Sequence, residues 1–100
     1  MKHLKKLEQD LKKFRKQIDK IDSEIIKLLC KRFLITNKIG ILKKEYNILP
    51  RDKKRENKIF KRIENLSIKR GLNPNLILKI YKLIFKEVVK NHKKIRNEKD

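Results

Sequence analysis

The sequence predicts an all-α fold with three helices, and two observations support this. From Leu4 to Leu42, apolar residues recur at alternating spacings of three and four, the pattern of one long amphipathic helix. A loop ending at Pro50 and a break from Gly71 to Pro74 then bound two shorter helical segments. We therefore expect helices over about 4–43, 52–70 and 74–95, a loop over about 44–51 and a charged tail over 96–100, all within a single domain of residues 1–100.

The apolar positions of the first segment form a seam along one helix face, which a charged residue interrupts once. The seam residues are Leu4, Leu7, Leu11, Phe14, Ile18, Ile21, Ile25, Leu28, Ile35, Ile39 and Leu42. Arg32 takes the seam position between Leu28 and Ile35. An unpaired guanidinium in a packed seam costs on the order of several kcal/mol, so either the seam opens to water there or an anion meets the arginine. We adopt the second interpretation.

A helix over residues 4–43 is too long to be covered by its own chain. It measures roughly 60 Å at about 1.5 Å per residue, whereas a compact monomer of this size is only about 35 Å across. Something else must bury the overhanging seam. A second copy of the chain in a two-fold dimer is the simplest candidate.

The second segment has an apolar stripe along one face, and charged residues occupy the same face at its amino-terminal end. Asp52 lies in the first turn, where a carboxylate caps free amides and meets the positive end of the helix dipole. The inward stripe is Ile59, Ile63 and Leu66, and it continues backwards to Glu56, Arg55 and Asp52.

The third segment begins after a glycine stop. Gly71 ends the preceding helix, Asn73 caps the next one and Pro74 takes its first position. One face of the third helix carries Ile77, Ile80, Tyr81, Ile84 and Val88, and the next position on that face is His92.

The net charge is strongly positive, with 31 Lys+Arg against 12 Asp+Glu, which gives +19. Such a charge by itself indicates a nucleic acid or an anionic membrane surface as a partner. However, the lysines are spread over every outward helical face, no nucleic-acid-binding motif is present and there are few aromatic residues to stack on bases. We therefore expect no nucleic-acid partner, although small anionic substrates would still be attracted.

The cysteine and histidine content argues against a disulfide or a metal centre. Cys30 has no second cysteine to pair with, and we expect it to be a small core residue in a reduced, cytoplasmic protein. His3 and His92 are far apart in sequence, without cysteine or carboxylate at ligand spacing, so no metal site is expected. We also expect neither a signal peptide nor a membrane-spanning segment.

Helical spacing groups the candidate functional residues. Arg32 and Lys43 are eleven residues apart, which is three helical turns, so their side chains project in nearly the same direction. They can therefore contact the same ligand. Arg15 lies about 25 Å down the axis and a quarter turn away, out of reach of that ligand in the same chain. In a two-fold dimer of antiparallel long helices, Arg15 of one subunit reaches the site that contains Arg32 of the other.

The resulting inventory suits a small dianion that carries a hydroxyl group. Arginines bind planar carboxylates with two parallel hydrogen bonds, and no nucleophile with a partnered base is present. These groups suit a reaction that needs only a site of matching shape and charge for its substrate, without a cofactor. The cations are Arg15, Arg32, Lys43 and Arg55, the carboxylates are Glu56 and Asp52, and His92 is a further donor.

Four segments together resemble the all-helical chorismate mutases, over nearly the whole chain. They are residues 15–22 (RKQIDKID), 28–32 (LLCKR), 39–43 (IGILK) and 51–56 (RDKKRE). The resemblance implies an intertwined homodimer of three-helix chains. It also implies conversion of chorismate to prephenate, the committed step toward phenylalanine and tyrosine, with no cofactor.

The resemblance also implies roles for individual residues. Arg15 of the partner subunit and Arg32 would hold the two carboxylates, supported by Arg55, and Lys43 would donate to the ether oxygen whose bond breaks. Glu56, helped by Asp52, would bind the ring hydroxyl. His92 stands where the family usually has glutamine or glutamate as the second donor to the ether oxygen, and Val88 stands where relatives carry serine.

Simpler interpretations remain open for several of these residues. Arg32 would instead form an ion pair with a carboxylate such as Glu56, and Arg15 would pair with Asp19 one turn on. Asp52 would serve as a helix cap, either instead of contacting the ligand or as well as contacting it. Lys43 and Arg55 would be solvated surface groups. For the whole chain, the alternatives are an isochorismate pyruvate lyase on the same scaffold and a basic helical module that binds nucleic acid.

Overall fold

The computed structural model describes residues 2–98, so residues 99 and 100 of the predicted charged tail lie outside it. Its elements in chain order are three α-helices: α1 Lys2–Glu45, α2 Lys53–Lys69 and α3 Pro74–Asn97. The all-α fold class predicted from the sequence is confirmed. Each helix begins and ends within two residues of its predicted bounds.

The chain divides into two compact units, the first ending at Leu34 and the second beginning at Ile35. The first unit is the amino-terminal part of α1. Its seam residues, Leu4 through Leu28, are each 39–63% exposed in the single chain. An apolar face of this length in contact with water is unfavourable and is typical of an interaction surface.

The core of the second unit lies between α2 and α3. Ile59 and Ile63 from α2 and Ile84 and Phe85 from α3 are each at most 9% exposed. The ring of Phe60 tilts against that of Phe85 with centroids 4.9 Å apart, a favourable aromatic geometry.

One predicted core position of α2 is wrong. Leu66 was expected on the inward stripe, but it is 45% exposed, whereas Ser67 is only 3% exposed. The buried positions are therefore Ile59, Ile63 and Ser67, each four residues after the last. A buried serine is tolerated because its hydroxyl donates to the carbonyl of Ile63 at 2.7 Å.

Polar side chains cap both shorter helices at their amino-terminal ends. The carboxylate of Asp52 accepts a hydrogen bond from the backbone N–H of Arg55 at 3.0 Å, and the side chain of Asn73 accepts from the N–H of Asn75 at 3.0 Å. Pro74 follows Asn73 at the start of α3. Both predicted caps are confirmed.

Helix α2 ends in a Schellman motif. Gly71 adopts a φ of +71°, while its N–H bonds the Ile68 carbonyl and the N–H of Leu72 bonds the Ser67 carbonyl. The predicted glycine stop is confirmed.

Helix α1 ends in the same way without a glycine. Asn47 takes the left-handed conformation with a φ of 56°. The N–H of Ile48 bonds the Lys43 carbonyl at 2.7 Å and that of Asn47 bonds the Lys44 carbonyl at 3.2 Å. Asparagine is the usual substitute for glycine here, because its short polar side chain tolerates this backbone region.

Two contacts link the carboxyl-terminal ends of α1 and α3. The Nζ of Lys44 donates to the carbonyl of Glu98 at 2.5 Å, and the guanidinium of Arg96 donates to the side-chain oxygen of Asn47 at 3.3 Å. The part of α3 that was predicted to be a tail from residue 96 thus remains helical to Asn97.

None of the helices formed by residues 2–98 combines the length and the apolar character needed to cross a lipid bilayer.

Candidate active site

Most of the predicted site residues belong to the second unit. Arg15 and Arg32 belong to the first. Those of the second unit are Lys43 at the end of α1, Asp52, Arg55 and Glu56 at the start of α2, and Val88 and His92 on α3.

The half-buried side chain of Lys43 is anchored by the loop that follows α1. Because the Asn47 turn reverses the chain, the loop returns past the last turn of the helix. The Nζ of Lys43 donates to the carbonyl of Pro50 at 2.9 Å. This bond fixes the ammonium at the junction between α1 and α2 and leaves it further N–H donors for an anion.

The start of α2 gathers acidic and basic groups. The Oε1 atom of Glu56 lies 3.7 Å from the Nε of Arg51, and the side chains are 17% and 59% exposed, respectively. Asp52 caps the helix and Arg55 is exposed. Glu56 is thus a largely buried carboxylate whose charge is partly balanced by Arg51.

His92 is buried against the last part of α1. The residue is 3% exposed, and its Nε2 atom lies 2.6 Å from the carbonyl oxygen of Thr36. Since a carbonyl only accepts hydrogen bonds, Nε2 carries the proton in this contact. Nδ1 is buried and has no hydrogen-bond partner among the described residues.

Gly40 creates the space for the His92 ring. A Cβ at position 40 would lie 2.7 Å from Cδ2 of His92 and 3.1 Å from Cδ1 of Ile95. Any residue other than glycine would therefore displace the imidazole.

Lys43 and His92 lie along one face of α1. Thr36, Gly40 and Lys43 follow one another at helical spacings of four and three. Because His92 packs on the first two of these positions and Lys43 comes one turn later, the structure places both predicted donors on this face.

A groove of ≈ 980 Å³ lies between α2 and α3. Its lining includes Arg51 just before α2, Glu56 in the first turn of α2, the rings of Phe60 and Phe85, and a set of lysines and Glu87 on α3. Glu56 is the one predicted site residue of the described chain that lines it.

The two arginines of the first unit differ in exposure. Arg15 is exposed and lies in a shallow groove of ≈ 350 Å³ with Glu8 and Asp19. Arg32 is half-buried in the single chain. Cys30, expected in the core, is exposed instead.

Sequence reasoning did not find three residues that shape this cluster. Arg51 balances Glu56, Thr36 accepts from His92 and Gly40 admits its ring. Thr36 gave no signal, because a backbone carbonyl has no sequence signature. Gly40 did carry one, since a glycine within a helix costs stability and therefore indicates a close approach.

A model of the family described as chorismate mutase type II matches residues 14–93. The chorismate mutase of Methanocaldococcus jannaschii is 30% identical over 76 residues, covering 76% of this chain and 77% of that protein. The chain belongs to the chorismate mutase type II family. This confirms the resemblance seen in the sequence and supports an isomerase. Neither the pyruvate lyase nor the nucleic-acid-binding interpretation is favoured.

Other relatives of this chorismate mutase family member are larger. The bifunctional chorismate mutase/prephenate dehydratases of Buchnera aphidicola subsp. Schizaphis graminum and Aquifex aeolicus are 37% and 34% identical to it. These matches cover 89% and 88% of this chain but only 23% and 25% of the relatives. The chain thus spans about a quarter of their length.

Proposed function

We propose that this chain converts chorismate to prephenate by an intramolecular rearrangement, on the route to phenylalanine and tyrosine. The observation that carries the proposal is the family match over residues 14–93, a range that includes every residue predicted for the site. The reaction would take place in the cytoplasm, where the free thiol of Cys30 stays reduced.

Two arginines bind the substrate carboxylates in this proposal. Arg32 binds one, Arg15 of the partner subunit binds the other, and Arg55 adds positive charge nearby. Their forked guanidinium groups match planar carboxylates with paired hydrogen bonds. The half-burial of Arg32 supports this role, since a charge-assisted hydrogen bond to a carboxylate is stronger where water is partly excluded.

Lys43 stabilises the negative charge that develops on the ether oxygen as its bond breaks. Its ammonium is already held in place by the Pro50 carbonyl, so little reorganisation is required when the substrate arrives. A preorganised donor of this kind contributes about 2.7–4 kcal/mol, and holding a reactive conformer contributes up to about 7–11 kcal/mol. Together they exceed the roughly 8 kcal/mol at the low end of enzymatic catalysis.

Glu56 binds the ring hydroxyl, with Asp52 as its helper. A carboxylate accepts a hydroxyl hydrogen bond well, and the Glu56 carboxylate lies 3.7 Å from the Nε of Arg51, which partly balances its charge. Asp52 already accepts from the N–H of Arg55 through Oδ1, so its second oxygen is the one that serves the substrate. Val88, half-buried on α3, would contact the ring through its methyl groups.

His92 provides the second contact to the ether oxygen. This contact requires a ring N–H that faces the ether oxygen. In the single chain the ring is buried beside α1, with its Nε2–H on the Thr36 carbonyl.

The active assembly is an intertwined homodimer. The uncovered seam of α1, exposed by 39–63% from Leu4 to Leu28, supports this proposal because a second copy would bury it. The same arrangement delivers Arg15 to the site of the partner. Each dimer would then hold two shared sites.

Incubation of the purified protein with chorismate, and separately with isochorismate, tests the proposed reaction. We expect prephenate from chorismate. Arg32→Ala should lose at least a hundredfold in kcat/KM, while Arg62→Ala, an exposed arginine of α2, should retain wild-type activity. Unchanged chorismate, or release of pyruvate and salicylate from isochorismate, would contradict the proposal.

A further inference from the structure

Four lysines form a row along one face of α3. They are Lys82, Lys86, Lys90 and Lys93, spaced by four, four and three residues. This spacing keeps them on one side of the helix over about 16 Å. All four are exposed and all four line the groove between α2 and α3. The sequence had suggested lysines spread evenly over every face, so this α3 lysine row is a departure from that expectation.

The charge of the row is not balanced locally. Helix α3 carries seven basic residues and a single acidic one, Glu87. No ion pair between the row and a carboxylate occurs among residues 2–98. Arg51 adds a further cation to the lining, which also contains two carboxylates, Glu56 and Glu87. With five cations against two carboxylates, the groove that contains Glu56 has a net positive lining.

We propose that the α3 lysine row attracts dianionic substrates to the active site by long-range electrostatics, without touching the reacting atoms. This inference rests on the proposed function, because it takes Glu56 as part of the site. A charged groove with apolar walls raises the local concentration of a substrate of opposite sign and the rate of encounter. The walls here are apolar, with Phe60, Phe85 and Val89 in the lining.

The row acts before the chemical step. Removing its charge lowers kcat/KM and leaves kcat unchanged, because the substrate, once bound, has the same contacts. The effect also depends on ionic strength. Charges that do not touch the substrate act strongly at low salt and weakly above about 0.5 M, where the screening length falls to a few ångströms.

The test compares two triple variants with wild type at 0.02, 0.1 and 0.5 M salt. One is Lys82→Gln, Lys86→Gln and Lys90→Gln in the row. The matched control is Lys54→Gln, Lys58→Gln and Lys61→Gln, which removes equal charge from exposed positions of α2 outside the groove lining. The control face lies opposite the buried Ile59 and Ile63 of α2. Circular dichroism verifies that all three proteins fold.

We expect the row variant to lose about fivefold in kcat/KM at 0.1 M salt, the size expected for a dianion near three screened unit charges. Its loss should vanish at 0.5 M, its kcat should stay at the wild-type value, and the control should follow wild type throughout. Equal losses in both variants, a fall in kcat, or a wild-type kcat/KM insensitive to salt would overturn the inference. Absence of chorismate turnover in wild type would instead overturn the proposed function.

Discussion

The Nε2 atom of His92 lies 2.6 Å from the carbonyl oxygen of Thr36, and this bond joins α3 to the part of α1 that carries Lys43. It determines which ring nitrogen holds the proton and leaves Nδ1 buried without a partner among the described residues. The ring fits there because Gly40 has no side chain. One imidazole thus joins two helices while one of its ring nitrogens stays buried.

The proposed contact between His92 and the ether oxygen predicts how substitution affects turnover. His92→Ala removes the donor and should lower kcat on chorismate, whereas His92→Gln supplies an amide donor and should retain more of it. Steady-state kinetics on both variants and on wild type measure the difference. A wild-type kcat for a folded His92→Ala protein would show that His92 does not contact the ether oxygen.

Gly40→Ala should destabilise the protein through a clash with His92. The added Cβ would lie 2.7 Å from Cδ2 of His92. Overpacking of this kind costs about 1–3 kcal/mol, while alanine in place of helical glycine returns about 1 kcal/mol. We expect a net loss of about 1 kcal/mol in the free energy of urea unfolding.

A double-mutant cycle supplies the control for that substitution. In a His92→Ala background the ring is absent, so Gly40→Ala should become neutral or stabilising. If the substitution cost the same in both backgrounds, the clash would not be its cause.

A charge introduced into the α1 seam should separate the proposed dimer. Ile18 is 54% exposed in the single chain and lies on the seam, whereas Ile26 is 67% exposed and lies off it. By sedimentation, wild type and Ile26→Asp should have twice the 12.2 kDa chain mass. Ile18→Asp should sediment as a single chain and lose activity, because a buried carboxylate is costly. A wild-type protein that is monomeric at assay concentration would refute the shared site.

Mixing two inactive variants tests whether Arg15 serves the partner's site. Arg15→Ala and Arg32→Ala should each be nearly inactive alone. After co-expression, a heterodimer of the two has one site with both arginines intact and one with neither. Because random pairing makes about half of the dimers mixed, about a quarter of wild-type activity should return. No recovery, with mixed dimers verified by mass spectrometry, would show that Arg15 does not serve the partner's site.

The helices and their ends were predictable because local chemistry determines them. Apolar spacing defined α1, and the caps at Asp52 and Asn73 and the stop at Gly71 follow from backbone groups that each helix end leaves unpaired. The family, too, was recognisable, because its charged residues occur at fixed helical spacings.

Features that depend on tertiary contacts could not be predicted in the same way. Ser67 is buried and Leu66 is exposed, the reverse of the prediction, because the contact with α3, not the pattern within α2, determines which side chain is buried. The turn at Asn47 was read only as a loop, since asparagine adopts a left-handed backbone less often than glycine. The Lys43 to Pro50 bond depends on that turn, and no pattern within α1 indicates it.

The value of kcat for Lys43→Ala on chorismate tests the central claim most directly. Lys38→Ala, an exposed lysine of the same helix, is the matched control. If Lys43 stabilises the breaking ether bond, its loss should lower kcat by about 10²–10³, while Lys38→Ala keeps wild-type turnover. A Lys43→Ala protein that is folded and turns over chorismate at the wild-type rate would contradict the account.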